Sequence, residues 1–361
     1  MSSIPGGLLA DLLDLGPLYQ LADNWWNVGV ADAPLDPKAS QLRTAIINDA
    51  GGIGSAKLWP DFGTGVGMPY AVVEAGAPII PIETPGTPRV LFTPGTYTND
   101  PASDFDYCTE SDYGIGGVDG YPIPVEARTN PRYMENGEYG HGGTGDAHLL
   151  VLEVDTLLLY ELSYASPIAD GKWHAGAGAI WNLWANDRRP DTWTSTDAAG
   201  LAVLPGLMRY DEIVLSAGAI RHAFRTSLRK SNGYVWPASH SRQANAGSPP
   251  MGLRMRLQAS FDIEAYLAGR FSSQQVLLNE AQKTAMRRIL QALKSYGLIV
   301  ADGGGAMYCQ GTMDSRWDLF WNAQLRNAVF SGINVNSFDI IQRGWSPTGV
   351  VGSSKRVNFT V

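Results

Sequence analysis

The residues best supplied for chemistry are carboxylates set among tryptophans and arginines. From Trp173 to Glu212 the chain carries Trp173, Trp181, Trp184 and Trp193 together with Arg188, Arg189, Asp191, Asp197, Arg209, Asp211 and Glu212. Neither a period of 3.6 nor a long period of 2 runs through this stretch, and Pro190, Gly200, Pro205 and Gly206 interrupt it. It therefore reads as ordered loops laid over a scaffold, where binding and catalytic groups concentrate. Indole faces stack on sugar rings, and a pair of carboxyl groups can cleave a glycosidic bond. Asp197 and Glu212 are the expected acid/base and nucleophile, or acid and base in an inverting site, with Asp302 as the substitute for either. Trp184 and Trp193 are expected to stack on sugar, while Arg209, Arg254 and Arg256, with Tyr210 and His222, hold the carboxylates or the substrate. A separation of about 5 Å between the two acids implies retention, and roughly 6.5 to 9.5 Å inversion. The plainer alternative is a Trp-rich core loop whose ion pairs satisfy one another.

Two readings from other classes stay open. A polysaccharide lyase would take Tyr210, His222 or His240 as base and use Arg254 and Arg256 to neutralise a uronate. A non-catalytic glycan-binding surface protein would keep the tryptophans and tolerate loss of the carboxylates. Other chemistries lack their hallmark residues: no GxGxxG opens a βαβ unit, and GxxxxGK[ST], GxSxG and HExxH are absent. His222 and His240 flank a serine-containing stretch without a nucleophile elbow, which argues against a Ser/His triad.

The elements that must position these groups are mainly strands. His148 to Tyr164, HLLVLEVDTLLLYELSY, predicts a hairpin turning at Val154-Asp155-Thr156, apolar on both faces and suited to the middle of a sandwich. In it His148 and Glu161 read as satisfied structural residues or as ligands. Glu212 to Leu228 reads as two strands joined across Ser216-Ala217-Gly218. MGLRMRLQASFDI alternates, with Arg254, Arg256, Gln258 and Ser260 on one face as a solvated surface or the floor of a polar cleft, Arg225 beside them. Asn279 to Tyr296 predicts an amphipathic helix with a capping-box start, an apolar stripe of Met286, Ile289, Leu290 and Leu293, and Gly297 as its C′ residue. A shorter helix is expected around Ser40 to Ile47, and LIVADGGGAMYCQG predicts two strands about a glycine turn, with Asp302 at the first strand's end. The expected fold is mainly β, a β-sandwich or jelly roll with one packed amphipathic helix and long loops. It forms a single large domain over 1–361, with an N-terminal arm at 1–22 and a C-terminal tail at 344–361.

Composition agrees: 41 Gly, 22 Pro, 11 Trp and 15 Tyr with only 17% charged residues favour turns and aromatic surfaces over a helical bundle. A net charge of −8 and a pI near 5.1 argue against nucleic acid or an anionic membrane as partner, leaving a polysaccharide or oligosaccharide. No cofactor is expected. Asp104, Asp106, Glu110, Asp112 and Asp119 could hold a structural calcium but lack the order of an EF-hand loop, so no metal is assigned. Cys108 and Cys309 are too far apart in sequence for a zinc ribbon, and either pair or stay free. The first residues carry Asp11 and Asp14 within their apolar run and no basic start, unlike a signal peptide.

WTSTDAAGLAVLPGLMRYDE, together with LWPDFGTGVGMPY, YVWPASH, PPMGLRMRLQASFDI, ILQALKSYGLIVADGG and DSRWD, resembles an uncharacterised family of secreted proteins of soil bacteria. The likeness covers roughly residues 20 to 342 and implies export with a leader that an initiating Met has replaced here; it implies no particular reaction. One departure is visible, at Gly145 to His148, where the family pattern has Arg and this chain has Ala147 before the histidine. An ion pair made by that arginine is in doubt here.

Overall fold

The structure, a computed structural model, describes residues 15, 18–83, 114–115, 118–140, 146–269, 271, 276–347 and 349. The strands in chain order are β1 Trp59–Asp61, β2 Tyr70–Val73, β3 Ile82–Glu83, β4 Gly114–Ile115, β5 Val118–Asp119, β6 Leu149–Glu153, β7 Leu158–Ser163 and β8 Ser166–Pro167. They continue with β9 Trp173–His174, β10 Ala177–Asn182, β11 Phe224–Leu228, β12 Arg254–Leu257, β13 Leu298–Gly303, β14 Tyr308–Gln310 and β15 Phe338–Ile340. The α-helices are α1 Ala39–Asp49, α2 Ile263–Ala268, α3 Glu280–Ser295, α4 Arg316–Phe320 and α5 Ala323–Phe330.

Two open, mixed sheets dominate. The first has the order β1-β14-β11-β13-β12-β15 and the second β10-β7-β6-β2. The β1/β14, β11/β13 and β2/β6 pairs are parallel, which departs from the all-antiparallel pattern of the expected jelly roll. Four helices join the one most clearly written in the sequence. That one, α3, starts as the sequence specifies: Asn279 Oδ1 accepts from Gln282 N at 2.9 Å and Gln282 Oε1 accepts from Asn279 N at 3.0 Å. Its stripe of Met286, Ile289, Leu290 and Leu293 is buried. Gly297 ends it at φ +76, where a Cβ would lie 2.2 Å from the Met255 carbonyl oxygen.

The expected hairpin is β6 and β7, and the period of 2 sorts its side chains between two cores. Leu150, Leu152 and Leu159 face the main core, which runs across both large sheets, while Leu149, Val151, Tyr160 and Leu162 face a second core with Tyr121, Ile123 and Trp173. A sheet buried on both faces fits a strand pair without polar alternation.

Several expectations are corrected. The strand predicted after Glu212 is a π-helical turn over Asp211–Leu215. The carbonyl oxygens of Glu212, Ile213 and Ser216 accept from the Arg288 guanidinium of α3 at 2.7, 2.7 and 2.5 Å, so this main chain needs no partner strand. The expected N-terminal arm is, where described, part of the core: Leu18 and Tyr19 are buried, and Leu15 N donates to Asp211. Cys108, the acidic run at 104–112 and the tail beyond 349 lie outside the described residues.

Candidate active site

The tryptophan-and-acid stretch forms a seam between the two large sheets rather than a surface loop. Residues 194–204 are buried, so their main-chain groups need partners from the walls on either side. Glu161, projecting from β7 into the main core, supplies most of them. Its carboxyl accepts from Val203 N at 2.9 Å, Leu204 N at 3.0 Å, Trp181 Nε1 at 3.0 Å and Thr196 Oγ1 at 3.2 Å. His148, beside β6, donates from Nε2 to the Thr196 carbonyl and from Nδ1 to Glu135, both at 2.7 Å. Both ring nitrogens thus face oxygen acceptors, an arrangement only the imidazolium satisfies. Burial works against that charge, but the Glu135 carboxylate outweighs it and raises the His148 pKa to about 10. The same ion pair holds Glu135 below its usual range despite burial.

From the other wall, Asp197 joins the seam to the first sheet. Its Oδ1 accepts from Ala199 N at 2.6 Å, and its Oδ2 meets Arg225 of β11 at 2.8 Å, with both side chains fully buried. Gly200 permits this turn: at φ +72 a Cβ would strike Ser239 Oγ at 2.1 Å.

The same arginine leads to the candidate site. Trp59 pairs with Tyr308 and Asp61 with Gln310 across β1 and β14, and Thr226 opposes Cys309, which puts Arg225 on the face of Tyr308 and Gln310. A bulge between Thr226 and Ser227 then brings Asp302 opposite Ser227, with Asp302 Oδ2 3.6 Å from the Arg225 guanidinium. One sheet face therefore carries Trp59, Asp61, Tyr308, Gln310, Arg225 and Asp302, and Glu135, in a short helical turn, and His148, just before β6, act electrostatically on Asp61 and Asp302 respectively. Trp59 and Tyr308 form a half-buried aromatic wall, ring centroids 6.4 Å apart, with Lys57 Nζ 4.4 Å from the Trp59 centroid.

Asp61 differs from every other acid here. It is half-buried, and its carboxyl has no hydrogen-bond or ion-pair partner among the described residues. Burial pushes its pKa up to about 7, with Glu135 and Asp302 adding to the rise and Arg225 opposing it. Asp197 and Asp302 are also raised by burial, since one guanidinium cannot fully hold two carboxylates as anions. An unpaired acid poised near neutrality beside a partly open carboxylate and a fixed cation is equipped for proton transfer.

The residues expected from sequence fall into separate places. Asp197 and Asp302 meet at Arg225, but Glu212 does not join them: it is buried against His222 Nε2 at 2.9 Å and Arg209 at 3.6 Å. Against burial, His222 and Arg209 lower the Glu212 pKa to about 2. Asp197 is paired with Arg225 and Glu212 with His222 and Arg209, all of them buried, so the two expected carboxylates are held by different partners. Arg209, fully buried, is bound to Asp211 and Glu212, and Tyr210 lies edge-on to Trp317 under Arg316. Arg254 donates to the carbonyls of Val28 and Tyr296, and Arg256 to those of Val30 and Ala33 and to Asp339. These two arginines fasten the segment at 28–33 instead of flooring a cleft. His240 donates to the Ala198 carbonyl. Trp184 is exposed, Trp193 lies under Arg189, and Trp173 and Trp181 are buried in the two cores.

Sequence reasoning missed Asp61, Glu135 and Gln310 as site residues. The signal for Asp61 was the placement of an acid at a strand end just before Gly63, the same signal that drew notice to Asp302. A pocket of about 440 Å³ lies elsewhere, between the end of β2 and residues 122–126. It is mostly apolar, and Glu74 and Glu126 are its only ionisable lining residues. Among the described residues no group of three His, Cys, Asp or Glu is placed to hold a metal, and no helix is long and apolar enough to cross a membrane. Comparison with family models, curated proteins and solved structures found no match to the chain.

Proposed function

We propose that this protein is a secreted glycoside hydrolase acting on a polysaccharide, with Asp61 as general acid and Asp302 as the base or nucleophile. The observation that carries the reading is Asp61: an unpartnered carboxyl, held partly protonated at neutral pH, on the same sheet face as a second carboxylate and an aromatic wall. Protonation of a glycosidic oxygen needs such an acid, and the opposite step needs an anion nearby. Arg225, itself fixed by Asp197, lies 3.6 Å from Asp302 and opposes the rise that burial imposes on the Asp302 pKa. The lyase alternative is less well supplied, because Arg254 and Arg256 are already bound to main-chain carbonyls.

The test is a panel of soluble polysaccharides incubated with the purified protein, the products weighed by mass spectrometry. Hydrolysis adds the mass of water at each cleavage; elimination does not, and it raises ultraviolet absorbance. Asp61→Asn and Asp302→Asn should each remove product formation, while Glu212→Gln, if it folds, should not. Turnover that survives Asp61→Asn would sink the assignment.

A further inference from the structure

Gln310 lies directly across β1/β14 from Asp61, on the same sheet face. Its side chain is only 8% exposed, and its Oε1 atom is buried without a hydrogen-bond partner. A buried acceptor left unmet is destabilising, and native proteins keep few of them. A second polar atom of this face is in the same condition: Arg225 Nε is buried and unpaired, while its terminal nitrogens reach Asp197 and Met68 Sδ. Asp61 itself offers a carboxyl with no hydrogen-bond or ion-pair partner among the described residues. One face thus presents an unmet acceptor, an unmet donor and a group able to do either.

A hydroxyl both gives and receives a hydrogen bond, so it complements such a set. An anion does not. Asp61, Glu135, Asp146, Asp197 and Asp302 act on one another here, against the two cations Arg225 and His148, with Lys57 beyond Trp59. A carboxylate, sulfate or phosphate on the ligand would enter a field already rich in negative charge.

We propose that Gln310 is a substrate-binding residue that reads a hydroxyl of a neutral sugar beside Asp61, making the ligand an uncharged glycan rather than a uronate polymer. This rests on the hydrolase reading for its site, but its test is separate because it reads binding. The amide oxygen accepts from the sugar hydroxyl, and excluding charged sugars follows from the surrounding acids.

The experiment titrates the full chain with cellohexaose, laminarihexaose, xylohexaose and trigalacturonate, following tryptophan fluorescence and calorimetric heat, in the wild type, Gln310→Leu and Gln310→Met. At least one neutral oligosaccharide should bind and trigalacturonate should not. Both Gln310 variants should weaken that binding about tenfold, the worth of one hydrogen bond to a buried group. They should melt no lower than the wild type, because an unmet polar atom has been replaced by an apolar one. Preference for trigalacturonate, absence of any neutral ligand, or neutral binding indifferent to both Gln310 variants would overturn the inference. Neutral binding that depends on Gln310 but yields no product upholds it and removes the hydrolase reading instead.

Discussion

At the scale of single residues, Asp61 and Asp197 show how similar acids diverge. Both are aspartates on or near the same arginine, but Asp197 meets the Arg225 guanidinium at 2.8 Å in a sealed site, whereas Asp61 has no hydrogen-bond or ion-pair partner among the described residues and stays partly open. The first fixes the cation; the second keeps a proton to give. Asp61→Asn should therefore lower kcat by about 10² to 10⁴ while the fold is kept. In the wild type the active, protonated form declines as pH rises through about 7, so activity should fall on that alkaline limb. Stability follows the same group with a definite sign. A raised carboxyl pKa contributes stability that is complete below the unfolded value of 3.8 and lost as pH rises through about 7. Asp61→Asn removes that loss, and at pH 8 it should stabilise by about 1 to 2 kcal/mol, discounted because the group is partly exposed to water. Parallel denaturation curves at pH 4 and pH 8 check this, and a variant no more stable than wild type at pH 8 would refute it.

At the scale of elements, what was legible and what was not divides along periodicity. The β6–β7 hairpin and α3 were readable because their patterns of 2 and 3.6 reflect which face each side chain buries. The 193–212 stretch has no period, and an exposed loop and a buried one look alike in that respect. What separates them is whether distant side chains satisfy the main chain, and here Glu161, His148 and Arg288 do so from other elements. No local pattern announces such partners. The bland reading of this stretch, ion pairs satisfying one another, describes Glu212, Arg209 and His222, while Asp302 alone of the expected catalytic residues stays partly open. The clamp makes a testable demand on β7. Glu161→Ala leaves Val203 N, Leu204 N, Trp181 Nε1 and Thr196 Oγ1 without their common acceptor. It should destabilise by about 3 to 5 kcal/mol, with Glu161→Gln in between, as measured by urea unfolding. A loss under about 1 kcal/mol would mean that the seam is held by packing alone.

At the scale of the whole molecule, the two large sheets share one core and are tied together by charge. Phe224, Val300 and Leu257 of the first sheet and Leu150, Leu159 and Trp181 of the second belong to the same cluster, so unfolding should be a single transition by circular dichroism and by fluorescence. The ionic ties set its pH range. Glu212, depressed to about 2, contributes stability that is present above 4.5 and lost as pH falls through about 2. His148, raised to about 10 by Glu135, contributes stability that is complete below 6.5 and lost as pH rises through about 10. Asp61 adds its own decline up to about 7. The three slopes leave a maximum near about pH 4, where the gain from Glu212 and the loss from Asp61 balance, with the melting temperature falling on both sides. His148→Gln isolates the alkaline side. It removes the titrating ring that joins Glu135 to the Thr196 carbonyl, lowering stability at pH 6 by on the order of 3 kcal/mol. The variant should also be far less sensitive to pH between about 7 and 10. If it loses stability over that range as steeply as the wild type, some other group governs the alkaline limit and the imidazolium is not what sets it.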